Sequence, residues 1–168
     1  MSGRVLVVMG VTSCGKTTVG ELLAARLGAR FAEGDAYHPP ANVAKMRSGT
    51  PLTDADRRPW LEAIAADMRS WQASGQSAVV TCSALKRAYR DLLRRAGPDV
   101  RFVHLSGDPV LIAARMAERE GHYMPASLLP SQLATLEPPD PDERVITADV
   151  AAAPETIVET ILQALAGS

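Results

Sequence analysis

A three-layer α/β fold built on a central five-stranded parallel sheet is what three observations predict for this chain. It has 168 residues, and at roughly 100–200 residues per domain that length corresponds to one domain, spanning 1–168. Short β-rich runs alternate with longer stretches of helical periodicity, the pattern of βαβ units whose sheet is covered on both faces. A glycine-framed loop ending in Lys-Thr joins the first such run to the first helical stretch.

The elements follow in order. Val5–Met9 is wholly apolar, as a central parallel strand buried on both faces must be. Thr17–Leu27 places Val19, Leu22, Leu23 and Leu27 on one helical face and stops at Gly28, a residue suited to a left-handed cap. Arg30–Glu33 is the second strand. Asp54–Trp71 carries Trp60, Ile64, Met68 and Trp71 at steps of three or four, the spacing of an amphipathic helix. Ala78–Cys82 is another continuous strand, and Ala84–Ala96 repeats the helical spacing with Leu85, Tyr89, Leu92 and Leu93. Val100–Leu105 is the fourth strand. Asp108-Pro109 is an N-cap followed by proline at the first helical position, opening a helix to about Glu120. The stretch 125–141 contains a short helix, Leu128–Leu136, and then Pro138, Pro139 and Pro141, so it reads as an irregular excursion. Arg144–Thr147 is the fifth strand and Pro154–Ala166 the last helix. No repeat or linker interrupts the order.

Composition narrows the function. Hydrophobic residues make up 46% and charged residues 22%, the balance of a globular domain. Eighteen basic against nineteen acidic residues leave a net charge of −1, so no global field favours nucleic acid or an anionic membrane. The two cysteines, Cys14 and Cys82, cannot make a disulfide framework and fit a reducing compartment, the cytoplasm. The apolar run at the start is too short to span a bilayer, and no signal-like segment accompanies it.

The loop Gly10-Val11-Thr12-Ser13-Cys14-Gly15-Lys16-Thr17 fits G-x-x-x-x-G-K-[ST], with a buried strand before it and a helix after it. It is a P-loop. Glycines let the chain wrap so that backbone N–H groups, continuing into Thr18, point at the phosphates of ATP or GTP, helped by the positive end of the helix. Lys16 reaches the β- and γ-phosphates, and the Thr17 hydroxyl is placed to ligate Mg²⁺. The motif leaves the phosphoryl acceptor open.

Candidates for the acceptor side stand at the end of the second strand. Glu33 and Asp35 are two residues apart, and Asp35 is the better candidate for a base that takes the proton of an attacking hydroxyl; its alternative is an Asx turn. His38, Asn42, Lys45 and Arg47 follow closely. Lys86, Arg90 and Arg94 recur every four residues and share a helical face, which by itself reads as a solvated face. Arg115 and Arg119 share another, followed by His122.

The segment GDAYHPPANVAKMRSGTPLTDADRRPWL at 34–61 resembles the acceptor side of bacterial-type gluconate kinases. So do CSALKRAYRDLLR at 82–94, GHYMPASLLPSQLATLEPP at 121–139 and DER at 142–144, which extends the resemblance over nearly the whole chain in the right order. The resemblance implies a P-loop kinase core like that of nucleoside monophosphate and shikimate kinases, usually dimeric, that transfers the γ-phosphoryl group of ATP, with Mg²⁺, to the 6-hydroxyl of D-gluconate. It implies an acceptor-binding segment at about 35–61 and moves Lys86 and Arg90, with His38, Lys45 and Arg47, to gluconate binding. It also implies a lid at about 119–139, with Arg119 and Arg115 over the nucleotide. Two positions depart from the family. Thr12-Ser13-Cys14 stands where Ser-Gly-Ser is usual, with Cys14 read as a tolerated small residue or an oxidation-sensitive one, and Glu33 stands where Asp is common, its part in holding Mg²⁺ open. The rival readings are a kinase of another small hydroxy acid such as shikimate and an ATP-binding regulator without turnover.

Overall fold

The computed structural model describes residues 3–12, 14–118 and 128–167. In chain order the elements are β1 (Val5–Met9), α1 (Lys16–Leu27), β2 (Arg30–Glu33), a 3₁₀ turn (Gly34–Tyr37), α2 (Pro40–Arg47), α3 (Asp54–Ala73), β3 (Ala78–Thr81), α4 (Arg87–Arg94), β4 (Val100–Ser106), α5 (Pro109–Glu118), α6 (Leu128–Thr135), a second 3₁₀ turn (Pro141–Glu143), β5 (Ile146–Asp149) and α7 (Pro154–Ala166). The five strands are all parallel, in the order β2-β3-β1-β4-β5.

β1 is central because nothing in it tolerates water: all five of its residues are buried. Side chains alternate across a strand, so each parity of β1 meets a different layer. Leu6 and Val8 pack with Val19 and Leu23 of α1, Ile112 of α5 and Ile161 of α7. Val5, Val7 and Met9 pack with Trp60, Ile64 and Met68 of α3 and Leu93 of α4. The predicted sandwich is thus formed by two cores on the two sides of one sheet. No helix among the described residues is long and apolar enough to cross a membrane.

Most predicted boundaries agree with the structure to within two residues, and the exceptions have local causes. The helix expected from Ala84 begins only at Arg87, because Ala84 is left-handed (φ 46°) and Lys86 is an extended N-cap. Ala84 and Leu85 instead turn their carbonyls onto the Arg90 guanidinium. The fifth strand lies two residues later than Arg144–Thr147, because Arg144 (φ 55°) closes the second 3₁₀ turn through its N–H to the Pro141 carbonyl at 3.2 Å. The turn at Gly34–Tyr37 and helix α2 were not anticipated.

Parallel strands put all their C-terminal ends on one edge, where the loops leaving β1, β2 and β3 converge. α3 supports that edge. It opens on a capping box, with Asp56 N–H donating to Thr53 Oγ1 at 3.1 Å and Thr53 N–H to Asp56 Oδ2 at 2.9 Å. The same Asp56 carboxylate accepts from Lys45 Nζ at 2.7 Å, tying α2 to α3. These bonds, that of Lys45 foremost, hold Asp56 down at about 2.

Candidate active site

A cleft of about 440 Å³ opens at this edge. Its floor is the phosphate loop, which is folded so tightly that a Cβ on Gly10 (φ 149°) would lie 2.7 Å from Cys14 Sγ and 2.9 Å from the Leu105 carbonyl oxygen. Gly15 (φ 97°) is the left-handed N-cap of α1 and stands in open space. Thr12, Gly15, Lys16, Thr17 and Thr18 line the cleft. Gly10, Val11 and Cys14 form the back of the loop, with Val11 and Cys14 in the core beneath it, and Ser13 lies outside the described residues. Lys16 Nζ donates to the Gly10 and Val11 carbonyls, each at 3.0 Å. Its ammonium therefore rests over the rim of the loop, satisfied by the loop itself.

The wall beside α1 is acidic. Thr17 Oγ1 donates to the Glu33 carboxylate, whose Oε2 also accepts from Thr81 Oγ1 at 3.3 Å. Hydroxyl and carboxylate oxygens are the donors a hard divalent cation such as Mg²⁺ takes, so this pair fits one. Asp35 follows along the same wall. Its place is set by Gly34, whose N–H donates to Thr81 Oγ1 at 3.1 Å and whose carbonyl accepts from Trp60 Nε1 at 2.7 Å. A side chain at position 34 would put its Cβ 1.8 Å from the Thr81 carbonyl oxygen, so only glycine lets β2 end this close to β3.

The far wall comes from α3. His38 stacks on Trp60, with ring centroids 4.1 Å apart and an interplanar angle of 16°. Burial pushes the imidazole down to about 4, against the pull of Asp35, so it is neutral and accepts from Asn42 Nδ2 at 3.3 Å through Nδ1. Arg57, one helical turn before Trp60, brings a half-buried guanidinium into the lining. Its Nη1 donates to Tyr89 Oη at 2.9 Å, with the charge 5.5 Å from the Tyr89 ring centre. Tyr89 in turn donates to Asp54.

Of the sequence-predicted residues, Lys16, Thr17, Thr18, Asp35, His38 and Arg115 meet in this cleft. Arg90 does not. It is fully buried behind the wall, where Nε and Nη2 hold Glu143 at 2.7 and 3.1 Å and the remaining donors take the carbonyls of Ala84, Leu85 and Glu137. Burial raises the Glu143 carboxyl, but the Arg90, Asp140 N–H and Arg94 hydrogen bonds outweigh it and hold it at about 2. Arg90 is therefore a structural cation and has no donor for a ligand. Lys45 is also outside the lining, spent on Asp56, as is Arg47, exposed in the last turn of α2. Lys86 is outside the lining too: it donates to Asp54 at 3.0 Å, and that bond raises its own affinity for the proton. Arg119 and His122 lie outside the described residues. Of the expected lid, 128–137 is tied down: Leu129 is in the core and the Glu137 N–H donates to the Leu85 carbonyl at 2.7 Å.

Arg57, Thr81, Ser83, Ser131 and Gln132 are lining residues that the sequence reading gave no role. For Arg57 a signal existed, its spacing of three from Trp60 on one helix face. For Thr81 and Ser83 the signal was their position at the C-terminal end of β3.

The AAA domain family matches residues 5–139. A gluconokinase of Gluconobacter oxydans (strain 621H) is 54% identical over 160 residues, covering 95% of this chain and 90% of that protein. An unliganded sugar kinase from Janibacter sp. HTCC2649 superposes with a TM-score of 0.94 at 51% identity, covering 98% of this chain and 95% of the other. A gluconokinase from Sinorhizobium meliloti 1021 superposes with a TM-score of 0.87 at 49% identity, with 98% and 92% covered.

Proposed function

From the premise that this chain belongs to the gluconokinase family, we propose that its cleft transfers the γ-phosphoryl group of ATP to the 6-hydroxyl of D-gluconate, giving 6-phosphogluconate and ADP. The observation that carries the reading is the pairing within one cleft of a phosphate end, Lys16 and Thr17, with an acceptor end, Asp35, His38 and Arg57.

The residues divide the work by chemistry. Backbone N–H groups of the loop and the Lys16 ammonium take the ATP phosphates, and Arg115 faces the same space as a second cation. Thr17 and Glu33 would hold Mg²⁺, which when bound neutralises charge on the phosphate oxygens. Asp35 accepts the proton of the attacking hydroxyl. Arg57, oriented by Tyr89, takes the gluconate carboxylate, for which a guanidinium is the matching bidentate partner. Neutral His38 and the Thr81 and Ser83 hydroxyls offer the mixed donors and acceptors that a row of sugar hydroxyls requires. Lys86 steadies Asp54 and so belongs to the support of Arg57. Most of the rate then comes from holding hydroxyl and phosphoryl group in line.

A homodimer in the cytoplasm completes the reading, supported by the family resemblance, and sedimentation of the purified protein tests the first part. The decisive experiment measures ADP release with Mg-ATP and, in turn, D-gluconate, shikimate, other sugar acids or no acceptor. Stimulation by gluconate is expected; stimulation by shikimate alone would overturn the acceptor, and silence with every acceptor would overturn the kinase.

A further inference from the structure

We propose that Gln132 is a positioning residue for the phosphate-binding lysine, acting through the peptide unit between Val11 and Thr12. Two hydrogen bonds meet on that unit from opposite elements. Its N–H, from Thr12, donates to Gln132 Oε1 at 2.7 Å. Its carbonyl, from Val11, accepts from Lys16 Nζ at 3.0 Å. A peptide unit is rigid and planar, so fixing the N–H fixes the direction of the carbonyl. An acceptor on the N–H also polarises the unit and makes the carbonyl a stronger acceptor for the ammonium. Gln132 therefore governs where Lys16 rests through that peptide unit.

The glutamine is itself held from a distance. α6 is anchored by Leu129 in the core beneath the phosphate loop. Beyond its last turn the Glu137 N–H donates to the Leu85 carbonyl at 2.7 Å, and the Arg87 N–H donates to Glu137 Oε1 at 2.9 Å. The helix that aims Gln132 at the phosphate end is thus fastened to the segment between β3 and α4, which contributes Ser83 and Leu85 to the cleft lining. This inference rests on the cleft being a phosphoryl-transfer site.

The test compares Gln132→Met and Gln132→Ala, which remove the acceptor oxygen, with Gln132→Glu, which keeps it. Gln132 is only half-buried on a helix, and alanine is the best helix former, so the second variant retains the fold if the first does not. Three quantities are read: kcat with saturating gluconate and Mg-ATP, the gluconate KM, and slow ATP hydrolysis without acceptor. Loss of one positioning hydrogen bond should lower kcat and acceptor-free hydrolysis by about tenfold each, with the gluconate KM within about twofold. Gln132→Glu should recover kcat to within about threefold of the parent, at a raised ATP KM, since its added charge repels phosphate. The proposal fails if the Met and Ala variants keep more than half of the parent kcat, or if Glu rescues neither rate. Should gluconate not stimulate the parent enzyme, the acceptor assignment falls alone, and acceptor-free hydrolysis still decides Gln132.

Discussion

Asp35, Arg57 and His38 give the acceptor end three different electrical characters within one cleft: a carboxylate, a guanidinium and a neutral ring. Asp35→Asn should lower kcat at least about a hundredfold while the ATP KM moves little, as loss of a general base does. A near-parental rate would remove the base assignment. Arg57→Ala should raise the gluconate KM by about tenfold to a hundredfold with a smaller change in kcat, the worth of a charge-assisted pair; an unchanged KM would place the carboxylate elsewhere. His38 supplies a pH dependence of stability. Its folded value of about 4 lies below the ordinary 6.5, so between those values the unfolded chain binds more protons. The stability it contributes is complete above about pH 6.5 and is lost as pH falls toward 4. Denaturant titrations should show a shallower fall over that window in His38→Gln than in the parent, and equal slopes would refute the assignment. At this scale the phosphate residues were legible because their chemistry demands one spacing. Arg57 was not, since an arginine among Arg57, Arg58 and Pro59 reads equally as surface.

Two elements carry more than their length suggests. The 3₁₀ turn after β2 depends on Gly34, so Gly34→Ala should destabilise by about 3 kcal/mol and lower activity with it, because the obstructing atom is backbone and cannot step aside. Native-like melting of that variant would show that β2 can move. α4 depends on Arg90, and Glu143→Gln should cost about 3–5 kcal/mol by leaving a guanidinium buried without its countercharge. Calorimetry measures both. The strands and longer helices were legible from periodicity, whereas α2 was not: its eight residues, opening on the second of two prolines, show no apolar stripe. Arg90 was misread for a related reason. A four-residue spacing places Lys86, Arg90 and Arg94 together but does not say whether that face looks outward, and Glu143, the partner that turns Arg90 inward, lies 53 residues away.

At the scale of the molecule, the parallel sheet gives the two ends of the enzyme different duties. One edge gathers the phosphate loop, the acidic wall and the arginine wall, while the layers on either side supply burial. The order of elements foretold this architecture, since each strand-to-helix passage in a parallel sheet returns to the same edge. It could not foretell that α6 would reach across that edge, because a side chain meeting a backbone N–H 120 residues earlier leaves no periodic trace. The two cysteines sit one in each core, Cys14 beneath the phosphate loop and Cys82 against the α3 layer. Burial pushes the Cys82 thiol up to about 12. A thiol-labelling reagent should therefore leave the folded protein untouched, and its rate of uptake becomes a clock for opening, with each layer carrying its own reporter. Cys14→Ser and Cys82→Ser would separate the two signals. Equal rates would mean that the layers open as one cooperative unit, and faster uptake at Cys14 that the nucleotide side breathes on its own.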